Sequence, residues 1–276
     1  MIARTATGLG DAVGASAPGA GLFRPAAALA WREIVRFLRQ RNRVIGALLT
    51  PVVFWLFIGA GIGSSFRPPE GSGLSGPGAY LAYFFPGALV MVVLFTAIFS
   101  TISVIEDRRE GFLQSVLVSP APRLAIALGK VAGGSALAGL QGGLFLAIGP
   151  LAGIGLSAGA AAAAMGVVFL LSIGLTAMGF CLAWWMNSTQ GFHAIMNLLL
   201  MPMWFLSGAL FPIEGAARPV QWLMYVNPLT YGVSLLRQCM GGGSAVAWWI
   251  SLPLGLAFTA AMLWLAAWSV ERRRGG

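Results

Sequence analysis

The chain has 276 residues and a mass of 28.8 kDa, with 58% hydrophobic but only 9% charged residues. A typical soluble domain carries about 25% charged residues, so a globule of this composition could not cover its surface with polar groups. The mean hydropathy of +0.83 predicts an integral membrane protein and excludes bulk disorder. The net charge of +9 would suggest nucleic acid in a soluble chain, but here the excess is attributed to cytoplasmic loops, and no nucleic-acid partner is expected.

The first segments of the chain lie before any apolar span. Residues 1–26 are rich in Gly, Ala and Ser and lack an apolar h-region, which predicts a flexible cytoplasmic tail rather than a signal peptide. Residues 27–43 repeat apolar side chains at helical spacing, which predicts an amphipathic helix in the membrane interface. In this helix Trp31 would lie among the headgroups, and Arg32, Arg36 and Arg39 would face anionic lipid. The alternative is a solvated basic helix.

Six apolar segments of about 20 residues follow, each long enough to cross the hydrocarbon core as an α-helix. They cover residues 44–63, 83–105, 131–151, 160–186, 194–213 and 246–270, and they contain no Asp, Glu, Lys or Arg. The third is rich in glycine, which would let helices approach closely. Because the chain holds 38 glycines, this spacing is attributed to chance. The predicted fold is an all-α membrane domain over residues 44–270.

The distribution of basic residues predicts the orientation. Fourteen of the seventeen fall before the first span, between the second and third, or after the sixth, and three fall on the other side. The positive-inside rule then places both termini, including a basic tail at 271–276, on the cytoplasmic side. The predicted location is the cell (inner) membrane of a bacterium or archaeon. Residues 64–82 become an outer loop. The outer segment 214–245 contains apolar stretches too short to cross, which predicts short re-entrant helices before the sixth span.

Several kinds of chemistry lack their residues. The single lysine, Lys130, has no P-loop around it, so the chain is not expected to bind ATP. No ionisable residue lies inside a predicted span to couple an ion gradient. The single histidine, His193, is expected to cap a helix end or to lie at the membrane interface rather than to bind metal. No catalytic or metal site is predicted.

The polar segment after the second span is the most informative. From Glu106 it reads E-D-R-x-x-G-x-x-x-x-x-L-V-S-P-x-P-R, followed by L-G-K ending at Lys130. A charged cluster, a glycine and a short apolar stretch would suit a helix that docks into a cleft of a soluble partner, and the alternative is an ordinary solvated loop.

This segment resembles the loop after the second span in permease subunits of type-2 ATP-binding-cassette exporters, a group with daunorubicin-type drug efflux and Nod-factor or polysaccharide export members. A second block is similar to the C-terminal signature of the same family. It comprises Leu206-Ser207-Gly208, Phe211, Pro212, Asn227, Pro228, Leu229, Thr230, Tyr231, Leu236 and Arg237. Many members carry an acidic residue shortly before the Leu-Arg pair, where this chain has Ser234, so charge pairing of Arg237 is left open.

The resemblance implies a half-transporter that pairs with a second copy and binds a separate cytoplasmic ATPase, which would hold the ATP and Mg²⁺. It implies a coupling helix around residues 109–118 in the loop 106–130, with helix 27–43 as a second contact. The implied coupling residues are Glu106, Asp107, Arg108, Arg109, Glu110, Gly111, Phe112, Leu113, Pro120 and Arg123.

The function expected on this basis is export of an amphipathic drug-like or lipid-linked glycan substrate. Aromatic side chains facing the dimer axis, namely Phe84, Phe85, Phe95 and Trp204, are candidates for the route, with lipid-facing packing as the alternative. Two other functions stay open: a membrane scaffold of the same fold that moves nothing, and an ion-coupled secondary transporter.

Overall fold

The computed structural model describes residues 21–62 and 78–272, and these residues form helices joined by turns. Residues 1–20, 63–77 and 273–276 lie outside the described residues, and with them most of the predicted tail at 1–26 and of the predicted outer loop at 64–82. In chain order the α-helices of the described part are α1 (Phe23–Arg39), α2 (Arg41–Ile62), α3 (Ala79–Ser100), α4 (Ile102–Arg109), α5 (Phe112–Leu117), α6 (Leu124–Leu146), α7 (Ala158–Trp185), α8 (Thr189–Phe205), α9 (Arg218–Val226), α10 (Pro228–Cys239) and α11 (Trp248–Arg272).

Helix α3 is the centre of the bundle. Eighteen of its 22 residues are buried, because α2, α6, α7, α8 and α10 all pack around it. A helix that is apolar on every side has no face for water, and α3 meets this condition by packing inside the bundle. Its side chains form the core with those of α6 and α7.

Four helical segments of the described part are long and apolar enough to cross a membrane: Ala79–Arg109, Leu124–Leu151, Ala158–Trp185 and Trp248–Arg272. They correspond to the second, third, fourth and sixth predicted spans, so six spans are not confirmed. The first predicted span lies in α2, whose apolar part, Leu49–Ile62, is shorter. The fifth was extended too far, because α8 ends at Phe205, and Gly208 then takes a left-handed φ of 76° that turns the chain.

The glycines of α6 lie at helix contacts, so the attribution of their spacing to chance is wrong. A Cβ built on Gly133 would stand 2.8 Å from the Cβ of Glu33 and 2.9 Å from the carbonyl oxygen of Ala30. Gly129 meets Leu29 of α1 in the same way, and Gly142 meets Val168 of α7. Only hydrogen at these positions lets the α1 backbone approach α6 this closely.

Other boundaries also differ from the sequence-based prediction. The amphipathic helix covers Phe23–Arg39 rather than 27–43, and α2 begins directly after Gln40. The charged cluster at 106–109 is not in a loop, since it forms the last turn of α4, which continues the direction of α3 in one 31-residue span. In place of the predicted coupling helix around 109–118, the chain forms a helix over Phe112–Leu117. The outer segment contains two short helices, α9 and α10, and their re-entry into the membrane stays a prediction.

Candidate functional site

An ion cluster joins α1, α4 and α6 at one end of the bundle. Its centre is Asp107 of α4, whose side chain is fully buried. Arg32 of α1 donates two hydrogen bonds to this carboxylate, at 2.8 and 3.0 Å, and Arg36 donates a third at 2.8 Å. Lys130 of α6 donates to the other side of the same group. A buried carboxylate is stable only with such partners, so the fold holds α1 against the bundle through Asp107.

Lys130 connects this cluster to the buried face of α1. Its ammonium group is only 3% exposed, donates to Glu33 at 2.6 Å and donates to the hydroxyl of Ser103 at 3.1 Å. Sequence reasoning missed Glu33 and Lys130 as site residues. The signal was the spacing of Leu29, Glu33 and Phe37, which places a glutamate in the middle of the buried helical face.

The arginines of α1 also reach the exposed rim of α4 and α5. Arg36 pairs with Glu106 at 2.9 Å and with the exposed Glu110 at 3.4 Å. The guanidinium of Arg32 lies 3.8 Å from the centre of the Phe112 ring. Burial would lower the pKa of Arg32, but its hydrogen bonds to Asp107 raise that pKa above its ordinary value, so the charge is fixed. Two of the three arginines predicted to face lipid, Arg32 and Arg36, therefore pair with carboxylates of the same chain.

The opposite face of α1 remains uncovered. Trp31 is 67% exposed, Leu38 is exposed, and Arg39 is exposed at the helix end. This apolar stripe is the one that the sequence assigned to the membrane interface, and the buried stripe through Leu29 and Phe37 is a second one. One side of α1 thus packs against α6, and the opposite side is exposed.

Helix α5 is a short platform between the bundle and the exterior. Gly111, with φ of 78°, turns the chain between α4 and α5 in a conformation that other residues enter only with strain. Leu113 anchors α5 in the core, while Gln114 and Ser115 face outward and Val118 is 86% exposed. The predicted coupling residues thus divide into buried residues, which attach α5 to the bundle, and exposed residues, which lie on its surface.

Two basic residues of the predicted set have other positions. Arg108 points away from α1 and donates to the carbonyl oxygens of Trp184 and Met186, at 2.6 and 2.9 Å, and so caps the end of α7. Arg109 is exposed at the end of α4. Arg123 is the residue before α6, after the exposed Pro120, and it lies apart from the Asp107 cluster.

A cleft of about 480 Å³ lies between α2, α3 and α8, and it extends to the Glu106 end of the bundle. Aromatic and polar side chains line it, including Phe54, Phe95, Phe99, Thr50, His193 and Glu106. The rings of His193 and Phe99 lie with their centroids 5.0 Å apart. Large apolar area with a few polar groups is typical of a small-molecule site.

Three of the four aromatic side chains predicted to line the route are buried inside the bundle, and their part in a route stays a prediction. Only Phe95 reaches the cleft. Phe84, Phe85 and Trp204 are completely buried, and the indole of Trp204 donates to the carbonyl oxygen of Gly87 at 2.8 Å. Phe84 and Phe85 belong to the central helix α3, and the ring centroids of Phe84 and Trp204 lie 5.9 Å apart. Composition alone does not say which neighbour an aromatic ring meets.

The second sequence block forms a structural support at the far end of the bundle. The Asn227 side chain accepts from the amide of Leu229 at 3.0 Å and so caps α10, whose first residue is Pro228. The hydroxyl of Thr230 donates to the carbonyl oxygen of Met224, and that of Tyr231 to Tyr225. These bonds fix the turn between α9 and α10.

Arg237 of α10 has a carbonyl group and an aromatic ring as partners, while its Nε is buried without a hydrogen-bond partner in the described part of the chain. It donates to the carbonyl oxygen of Gly208 at 2.6 Å, and its guanidinium lies 4.0 Å from the centre of the Tyr83 ring. Burial lowers its pKa. Phe211 and Pro212 follow in the same outer turn, at the surface. With serine at 234, Arg237 contacts the Gly208 carbonyl oxygen and the Tyr83 ring rather than a carboxylate at 234.

Comparison with known proteins gives consistent matches. The profile of the ABC-2 type transporter family matches residues 26–241. The chain is similar to the putative transport permease ycf38 of Cyanophora paradoxa, with 28% identity over 75% of this chain and 70% of that protein. Nodulation protein J of Rhizobium leguminosarum bv. viciae is 25% identical over 79% of this chain and 85% of its own length. The probable multidrug ABC transporter permease YbhR of Escherichia coli K12 is 26% identical over 58% and 44% respectively.

Proposed function

The chain belongs to the ABC-2 type transporter family, and from this premise we propose that it is the membrane subunit of an ATP-driven exporter. A separate cytoplasmic ATPase subunit, holding ATP and Mg²⁺, supplies the energy, and a second copy of the chain completes the transporter. One observation carries the proposal: α5 presents exposed side chains on a platform that contacts α1 and α4 of the bundle.

The fastening explains how a partner could move the bundle. A push on the exposed side of α5 reaches the core through Leu113 and reaches α1 through the Phe112–Arg32 contact. Asp107 and Lys130 then link α1 to α4 and α6. Contacts that are buried and charged tolerate little relative sliding, so these helices move as a unit. We assign the exposed residues Arg109, Glu110, Gln114 and Val118 to the ATPase contact.

The cleft between α2, α3 and α8 is the proposed entry for substrate. Its aromatic wall suits the apolar part of an amphipathic molecule, and the polar groups at its Glu106 end suit a headgroup. Exposed apolar side chains flank it, among them Phe57 of α2 at 76% and Leu198 of α8 at 78%. A second copy, seated on these faces, would close the cleft from the lipid side. The charge distribution supports cytoplasmic termini and a position in the inner membrane.

The test changes the charge of exposed residues on the platform and, as a control, at the far end of the bundle. Glu110→Arg and Val118→Asp change exposed residues, so we expect normal insertion but loss of a co-expressed cognate ABC ATPase on co-purification. Mismatching a charged contact costs about 2–5 kcal/mol, which is at least roughly 30-fold in affinity. Glu214→Arg makes the same reversal at an exposed position at the far end of the bundle and should retain the ATPase.

A second readout is ATP hydrolysis in liposomes. The permease alone should hydrolyse none, and the permease with its ATPase should lose activity in the two platform variants only. If both platform variants keep wild-type association and hydrolysis, α5 is not the coupling element and the proposal fails.

A further inference from the structure

A buried polar pair lies at the wall of the cleft between α2, α3 and α8. Thr96 of α3 lines the cleft, and its hydroxyl donates to the side-chain oxygen of Gln141 in α6. Both residues are buried, with 2% and 3% of their surface exposed. Thr96 precedes Glu106 by ten residues within the span Ala79–Arg109, which places it about 15 Å along the helix from the Glu106 end of the cleft. The pair is therefore a separate polar feature in the apolar part of the bundle.

The amide group of Gln141 is only half satisfied. Its oxygen accepts from Thr96, but its Nε2 is buried and has no hydrogen-bond partner among the described residues. Gln141 lies inside the candidate span Leu124–Leu151, where a buried polar group without a partner destabilises the bundle. A donor that the protein leaves open at this depth calls for a functional reason, and polar side chains inside a span typically mark the path of a substrate.

The pair has one acceptor and one donor left for a ligand. The hydroxyl proton of Thr96 is committed to Gln141, so the Thr96 oxygen keeps only its lone pairs and acts as an acceptor. The Nε2 of Gln141 is the donor, and the hydrogen bond between the two side chains keeps these atoms within about 5 Å of each other. Rotation of Thr96 between the two rotamers that threonine takes in a helix opens the way from the cleft to the amide. A hydroxyl or an N–H amide group donates and accepts at once, and so matches both atoms.

The surroundings of the pair favour an uncharged group. Neither Thr96 nor Gln141 carries a charge, and burying an ion beside neutral partners costs far more than burying a hydroxyl. The neighbouring wall of the cleft is apolar and includes Met91 and Phe95. The acidic residue of the lining, Glu106, lies at the end of the cleft and pairs with Arg36. A headgroup therefore belongs at the Glu106 end, and a neutral polar group belongs at Thr96.

From this arrangement we propose that Thr96 and Gln141 select, among amphipathic molecules that enter the cleft, those with a neutral hydroxyl or N–H amide group in their apolar part. The group donates to the oxygen of Thr96 and accepts from Nε2 of Gln141, and it thereby completes the buried hydrogen-bond network. This inference rests on the proposed role of the cleft as the entry for substrate. It adds two residues that the sequence motifs did not identify.

The experiment compares two neutral probes on the full chain alone. Naphthylethanol carries a hydroxyl, whereas its methyl ether has the same ring system and charge but cannot donate a hydrogen bond. Binding of each probe to the permease in phosphatidylcholine nanodiscs is measured by equilibrium dialysis, with the uptake of protein-free nanodiscs subtracted. We expect the wild type to bind the alcohol about tenfold more tightly than the ether, because the ether leaves buried polar groups unpaired.

Changes at the pair should abolish this preference. The double variant Thr96→Val and Gln141→Leu replaces both polar side chains by apolar ones of similar size, so the bundle stays folded and the alcohol should bind no more tightly than the ether. Thr96→Ser keeps the hydroxyl and should keep the preference. The matched control is Thr176→Val, because Thr176 is buried in α7 and its hydroxyl bonds within its own helix. This control should bind both probes as the wild type does.

A cleft variant separates this inference from the proposed substrate entry. Phe95→Ala removes apolar contact that the two probes share, so it should weaken both alike and keep the preference for the alcohol. If Phe95→Ala changes neither affinity, the probes do not bind in the cleft, and the proposed entry and this inference both fail. If Phe95→Ala weakens both probes but the wild type binds them equally, or the double variant keeps the wild-type preference, the cleft remains the entry and selection by Thr96 and Gln141 is wrong.

Discussion

Neutralising Asp107 tests whether the ion cluster holds α1 on the bundle. Asp107→Asn keeps the side-chain volume but removes the charge that accepts from Arg32, Arg36 and Lys130. Because the site is completely buried, water cannot replace these bonds. Removing one member of a buried charged group costs about 3–5 kcal/mol, and here the loss falls on the contact between α1 and the bundle.

This free-energy loss converts into the fraction of molecules in which α1 is detached. About 3–5 kcal/mol raises the population of detached α1 on the order of 100- to 1,000-fold or more. Leu29 is 9% exposed and packs against Gly129, so a cysteine at this position is protected while α1 is docked. In a background that lacks Cys181 and Cys239, the maleimide labelling rate of Leu29→Cys should rise by this factor in Asp107→Asn.

The matched control is Glu106→Gln. Its carboxylate is 30% exposed and makes one ion pair, with Arg36, so its loss should cost less than about 1 kcal/mol. A labelling rate in Asp107→Asn within about fivefold of wild type, which corresponds to less than about 1 kcal/mol, would refute the reasoning. Helix α1 would then be held by apolar packing alone.

Three further outcomes follow from the same geometry. Gly133→Ala should weaken the docking of α1 by about 1–3 kcal/mol in the same labelling assay, because its Cβ would overlap Glu33. Gly166→Ala, with open space around it, should leave the labelling rate unchanged. Arg108→Gln should remove the α7 cap, a loss of about 1–3 kcal/mol, and so lower the thermal unfolding midpoint in detergent. The exposed Arg109→Gln should leave the midpoint unchanged. Equal midpoints for the two variants would contradict the capping role of Arg108. A reporter fused to the carboxyl terminus should read cytoplasmic, and an external signal would contradict the charge-based topology.

Much of the candidate site was predictable as a segment but not as an arrangement. The residues from Glu106 to Arg123 were identified from their charge, their glycine and their apolar stretch. Their division into buried and exposed members was not. The helix of α3 continues through α4, so that Asp107 faces α1 and α6 while Arg108 faces α7. One step along a helix turns a side chain by about 100°, and sequence spacing does not show which neighbour stands there.

The amphipathic helix shows the same limit. Its periodicity predicted a helix, and the structure contains one over Phe23–Arg39. The sequence displays two apolar stripes on it, one through Trp31 and one through Leu29 and Phe37, but periodicity does not say which stripe is covered. The choice depends on Gly129 and Gly133, about 100 residues away in the chain, which alone leave room for the α1 backbone.

The sequence by itself determined the membrane class of the protein and four of its long apolar helices, because composition and local periodicity respond to the bilayer and not to any particular neighbour. Its family followed from two sequence motifs. Tertiary structure alone decided the partners of the charges. Asp107 lies 75 residues from Arg32 and 23 from Lys130, and Glu33 lies 97 residues from Lys130. A carboxylate and its cation meet only when three helices pack, and the cost of burying either charge unpaired disfavours other arrangements that the same segments could form.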